Sequence, residues 1–286
     1  MSDREIRATV DTMDVQVART AGILLRMWDD RDETSARVHA AVLARQDSLS
    51  PAATITRNLL SRVQLRRGRI RESRRLGSAR THTATFRDMA FVGAIPAAEA
   101  DSFLRRQMEI TLGDAVATLA WWSARGDTAA IRRVKARVDS AAAAGGTASA
   151  PTPLIAAGVA AVSAHLALAS RDTARAVLLF ADLPNAFCDE SCRLNAIIGA
   201  RLFLARGDAP AAIRLLDRHQ PTANNGSLYE GLWSVERARA AERVKDAARA
   251  RLEYGIVERR WAGADPELQP FVVEARQALR RLGGAR

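Results

Sequence analysis

ARLFLARGDAPAAIRLL, residues Ala200–Leu216, reads as two helices joined by a tight turn, and the whole fold can be built outward from it. Apolar residues recur at helical spacing on both sides of Gly207-Asp208. Glycine ends a helix by taking the left-handed conformation, and the following aspartate accepts a bond from the free amides of the next helix. The same chemistry stands at Arg125 to Asp127, while Arg171-Asp172 and Lys245-Asp246 occupy equivalent places. Each of these sites predicts a helical hairpin.

Aligned on the aspartates, the hairpins share a finer pattern. Ala164, Ala200 and Ala238 lie eight residues before the aspartate, and Ala176, Ala212 and Ala250 lie four after it. Four residues further come Phe180, Leu216 and Tyr254, a large side chain each time. Helices cross closely only where small residues meet, and a bulky neighbour then fills the groove against the next pair. Ser61, Gly68 and Ser73 sit at the same offsets in an earlier unit, and Leu119 and Ile131 replace the small pair around Gly126-Asp127. Equivalent aspartates are spaced by 36 and then 38 residues.

Composition agrees with helices. The chain of 286 residues is 48% hydrophobic, enough for a sizeable core, and its sparse aromatic content of 5% argues against sheet. A formal charge of +11 would ordinarily point to a polyanionic partner. Lysine occurs only at Lys135 and Lys245, so arginine supplies the charge, which a GC-rich genome explains equally well. Cys188 and Cys192 are too few for a disulfide framework; two reduced thiols and a bridge both remain open. MSDREIRATVDTMD carries charges where a signal peptide needs an apolar run. The expectation is a cytoplasmic protein, or an extracytoplasmic one if a membrane segment precedes Met1. Ser140 to Ser170 is the only long uncharged stretch; Gly145, Gly146, Pro151 and Pro153 break its first half, and the remaining run from Leu154 to Ser170 falls short of a bilayer span and predicts a buried helix instead.

These residues resemble the tetratricopeptide repeat family, whose motif wants a small residue in the first helix, a turn glycine, an alanine in the second helix and an aromatic four later. Ala200, Gly207, Ala212 and Leu216 match most of it, as do Ala238, Ala250 and Tyr254. The segment from Leu232 through Leu282 resembles the last repeat and capping helix of bacterial tetratricopeptide regions attached to serine/threonine kinases and other regulators. The fold so implied is all-α, a right-handed superhelical solenoid of antiparallel helix hairpins. Residues 1–140 would form degenerate N-terminal hairpins, 141–153 an Ala/Gly/Pro linker, and 154–286 the clearer repeats with a capping helix. Asp265 should cap that helix with Pro266 in its first position, leaving Trp261 and Phe271 to cover the end of the stack.

The N-terminal part is read more coarsely. Arg4 to Trp28 and Thr34 to Arg45 predict one amphipathic hairpin across DDRDE, and Ala52 to Arg80 a second pair broken at Gly68. Thr81 to Pro96 and Ala141 to Pro153 predict loops.

Stacked hairpins present a concave helical face that commonly takes a peptide or a partner's helix. The resemblance implies a non-catalytic scaffold for protein–protein interaction, a regulatory or sensory arm. An alternative is a nucleic-acid-binding regulator. Arg57 to Arg80 holds nine arginines against one acid, Glu72, and Arg62, Arg66, Arg67, Arg69, Arg71, Arg74 and Arg75 are the candidate polyanion contacts. No aromatic interleaves them for base stacking. Catalysis is not expected: His39, His82, His165 and His219 are scattered, and no nucleophile elbow, phosphate loop or kinase motif is present. No cofactor or metal is expected either. Trp121 and Trp122 cannot face the same way on one helix, so one of them is the candidate for exposure.

Overall fold

A computed structural model describes residues 2–25, 31–77, 83–144, 153–184, 190–218 and 227–283. All regular structure among them is helical. The chain begins with α1 (Asp3–Thr12), α2 (Val15–Leu25), α3 (Asp32–Ala44), α4 (Pro51–Arg66) and α5 (Ile70–Leu76). It continues with α6 (Thr83–Phe91), α7 (Ala97–Gln107), α8 (Leu112–Ala117), α9 (Leu119–Ala124), α10 (Thr128–Ala144), α11 (Pro153–Ala169) and α12 (Thr173–Ala181). The last elements are α13 (Glu190–Ala205), α14 (Ala209–Arg218), α15 (Tyr229–Arg243), α16 (Ala247–Trp261), a 3-10 turn at Pro266–Leu268 and α17 (Gln269–Gly283). No helix among the described residues is long and apolar enough to cross a membrane.

Two compact units result, neither continuous in sequence. The first takes Met1–Asp88, Thr222–Val235 and Arg251–Arg286, and the second Met89–Pro221 and Glu236–Ala250. Consecutive helices pack on one another in both, α2 on α3 and α3 on α4 in the first, α10 through α14 in turn in the second.

The turns of the second unit repeat one geometry. Gly126, Arg171, Gly207 and Lys245 all take positive φ, between 62° and 80°. The aspartate after each donates its amide back five residues, to the carbonyls of Trp122, Ala167, Phe203 and Ala241 at 2.9 to 3.0 Å. Its carboxylate then accepts from the amide three residues on, at Ala130, Arg175, Ala211 and Arg249. One motif thus satisfies both the last carbonyls of one helix and the first amides of the next. Arg171 and Lys245 adopt it despite their side chains, so the turn is imposed by packing as well as by glycine.

In the first unit, α4 and α5 turn at Gly68, φ 75°, with the amide of Arg69 returning to Gln64. At the offsets predicted from the hairpins, Ser61 Oγ donates to the Ser73 carbonyl at 3.0 Å, both residues fully buried. Serine works here because each hydroxyl meets a backbone or hydroxyl partner where the helices cross.

Four local readings are corrected. The helix predicted from Arg4 to Trp28 divides at Met13–Asp14, because the Asp14 carboxylate caps a new helix through the amides of Gln16 and Val17. Thr81 to Pro96 contains α6 rather than a loop, since Met89 and Ala90 are core and Asp88, also buried, accepts from Ser227 Oγ and the Leu228 amide. Asp265 stands at the N-cap position with Pro266 after it, as expected, but its carboxylate makes no capping bond there. Its carboxylate accepts instead from the Arg71 amide at 2.7 Å, and so supplies α5 with the cap that Arg69 lacks. Trp261, finally, is no end cover. It is fully buried, donates Nε1–H to the Arg66 carbonyl at 3.0 Å, and packs where a Cβ on Gly231 would approach its ring to 2.1 Å. Phe271, half-buried, tilts against it at 5.9 Å. Of the expected linker, Ala141 to Ala144 complete α10 and Pro153 opens α11, with 145–152 outside the described residues.

Candidate functional site

The nine packing positions read from the repeat are all buried to 1% exposure or less: Ala164, Ala176, Phe180, Ala200, Ala212, Leu216, Ala238, Ala250 and Tyr254. Close approach is visible beside Ala200, where a Cβ on Gly199 would come within 2.6 Å of Leu215 and 3.1 Å of Phe180. Polar contacts run between second-unit helices as well. Arg218 donates to the Ala181 carbonyl, Arg237 pairs with Asp217 at 3.2 Å, and Arg243 donates to the Leu204 carbonyl.

His165 lies in this core, fully buried. Asn195 Oδ1 accepts from its Nε2 at 2.8 Å, which leaves Nδ1 to accept from the Ser123 hydroxyl at 2.9 Å. Phe180 meets the ring edge-on at 5.1 Å. Burial pulls the imidazole down from 6.5 to about 4, against the opposing effect of its hydrogen bond to Asn195. The unfolded chain therefore takes up a proton between pH 6.5 and 4 that the folded chain refuses. This contribution is complete above pH 6.5 and falls away as pH drops to 4, a loss of about 3 kcal/mol. Urea unfolding at pH 7.5 and pH 4 should show His165→Gln losing about 3 kcal/mol less than wild type over that interval. Equal losses in the two proteins would remove His165 as the titrating group. His39 is buried too, Nδ1 on the Ser35 carbonyl at 2.8 Å; His82 and His219 lie outside the described residues.

Trp122 is buried with Nε1–H on Thr118, whereas Trp121 is half-buried. Trp121 is already engaged, donating to Asp101 at 2.7 Å with Arg125 stacked 5.0 Å from its ring centre. Cys188 and the Cys192 side chain lie outside the described residues.

The arginine run of the first unit behaves differently from its sequence reading. Arg66 and Arg67 are 3% and 8% exposed, and so cannot line an open polyanion surface. Arg66 bridges Asp32 at 3.2 Å and Glu230 at 2.8 Å, and Arg67 pairs with Glu33. Arg69 reaches Glu72 at 3.6 Å, and Arg71 holds Asp265 and Glu267 at 3.1 and 2.9 Å. Arg62 is half-buried, and only Arg71, Arg74 and Arg75 of the seven are exposed.

Three helix ends meet around these groups. Asp32 and Glu33 begin α3, Arg66 and Arg67 end and cap α4, and Arg259 and Arg260 end α16. Acids at a helix start and cations at helix ends each favour the local dipole, so charge accumulates there at low cost. Between them opens a cleft of about 340 Å³, lined by Asp32, Glu33, Arg67, Arg69, Arg259 and Arg260 together with Ala262 and Gly263. Arg260 also lies 3.7 Å from Asp32. Burial pulls the Arg67 guanidinium down to about 10, Arg69 adding to the effect, while Glu72 and Asp32 oppose it. Among the described residues no group of three or more His, Cys, Asp or Glu is arranged to hold a metal ion.

The described residues define an all-helical protein of consecutively packed helices. Comparison with protein-family models, curated proteins and solved structures returns no match.

Proposed function

We propose that this chain is a non-catalytic, tetratricopeptide-like helical-repeat scaffold that binds another protein. The observation that carries the reading is the recurrence, four times over, of one turn geometry, with the matched positions beside it buried. Repeated hairpins that cannot bury their apolar faces singly must stack, and stacking leaves first-helix surfaces for a partner. The resemblance of Leu232 to Leu282 to the ends of kinase-linked repeat regions favours a regulatory or sensory partner. Nucleic acid is disfavoured, because the arginines that suggested it are largely paired or buried within the first unit.

The test uses the full chain as bait in a pull-down, alongside Val159→Glu on α11 and Leu178→Glu on α12, both exposed positions. A partner retained by wild type and Leu178→Glu but lost on Val159→Glu is the expected result. Duplex DNA of arbitrary sequence at low salt should show no affinity. Retention of nothing, or of proteins held equally by all three baits, contradicts the scaffold reading.

A further inference from the structure

We propose that the cleft between Asp32, Glu33, Arg67, Arg69, Arg259 and Arg260 binds a divalent oxyanion, a phosphate monoester or a dicarboxylate. Four guanidiniums face two carboxylates there, a surplus of two positive charges within the lining itself. Both carboxylates are already engaged: Asp32 lies between Arg66 and Arg260, and Glu33 is held by Arg67. The unbalanced charge falls on Arg69, half-buried overall but with its side chain 40% exposed and only a 3.6 Å contact to Glu72, and on Arg259, exposed at the end of α16. Those two stand where an entering ligand meets them first, with the buried Arg67 and Arg260 behind.

Guanidinium suits the task. Its planar fork gives paired, parallel hydrogen bonds to carboxylate or phosphate oxygens, and burial behind it raises the strength of each charge-assisted bond. Burial lowers Arg67 to about 10 and the neighbouring Arg69 adds to the effect, so an anion placed beside them would offset both costs. The volume, about 340 Å³, lies at the lower end of the range that holds small ligands. An ester or diacid of a few carbons would fill it, with Ala262 and Gly263 offering no bulk against its body. This site lies wholly in the first unit and makes no use of the surface tested through Val159, so either reading can fail alone.

Calorimetric titration of the full chain in low-chloride buffer, with inorganic phosphate in one arm and succinate in the other, decides it. At least one should bind with unit stoichiometry. Arg69→Ala and Arg259→Ala should each weaken binding ten-fold or more, with far-ultraviolet dichroism unchanged, while Arg75→Ala, exposed and outside the lining, should bind as wild type does. Binding of phosphate alone assigns a phosphoryl ligand, and of succinate alone a dicarboxylate. Heat from neither anion overturns the proposal, and so does a loss in Arg75→Ala as large as in the two cleft variants.

Discussion

Trp261→Ala should lose about 3–5 kcal/mol of stability, among the largest effects we expect in this protein. The side chain is fully buried, so its removal forfeits the transfer energy of an indole and leaves a cavity the size of one. It also strands the Arg66 carbonyl, which accepts from Nε1. The packing around it is tight from both sides: Cβ atoms placed on Gly68 and Gly231 would lie 3.1 and 2.1 Å from the ring. Gly231→Ala should therefore also destabilise, by about 1–3 kcal/mol or more, through overpacking. Urea denaturation of the three proteins measures this, and a shift below about 1 kcal/mol for Trp261→Ala would show that the ring is not at the centre of the first unit's core.

Arg66→Met should cost about 3–5 kcal/mol, because it leaves the buried carboxylate of Glu230 without its 2.8 Å partner and deprives Asp32 of the Arg66 guanidinium at 3.2 Å. Repair is the sharper measurement. Adding Glu230→Met removes the stranded charge, and the double variant should regain most of the loss, since a buried ion pair exchanged for apolar side chains of similar volume is often neutral. Unfolding free energies of the two single variants and the double variant close the cycle. Additive losses would mean that Arg66 and Glu230 are not coupled and that the charged cluster is not a unit.

The two experiments probe residues that differ in how far the sequence announces them. Gly207-Asp208 and its equivalents are legible because both partners of every bond in the turn lie within five residues of each other. Ala200 and Ala212 are legible for a related reason: a short turn fixes which heights of two helices meet, and so spacing along the chain becomes contact in space. Even Ser61 and Ser73 follow from that offset alone. Asp88 and Asp265 are not legible, because their partners Ser227 and Arg71 are 139 and 194 residues away. Asp265 in particular looks like an ordinary cap for its own helix, and nothing local tells that a distant amide competes for it.

The cleft left one trace. Arg66-Arg67 and Arg259-Arg260 are paired cations at helix ends, and Asp32-Glu33 are paired acids at a helix start, a complementarity visible in the string of residues. Read singly, the first pair belonged to a basic run and the acids to an inter-helix joint.

From its sequence alone this protein is of the all-α class, with turn positions and crossing heights set by glycine, aspartate and small residues, because backbone hydrogen bonding and steric bulk act over a few neighbouring residues. The tertiary structure alone decided that an arginine-rich run lies partly inside, neutralised by acids from other helices, and that Trp261 is core rather than edge. Charge pairing and burial depend on which distant segments meet, and that is a property of the folded chain.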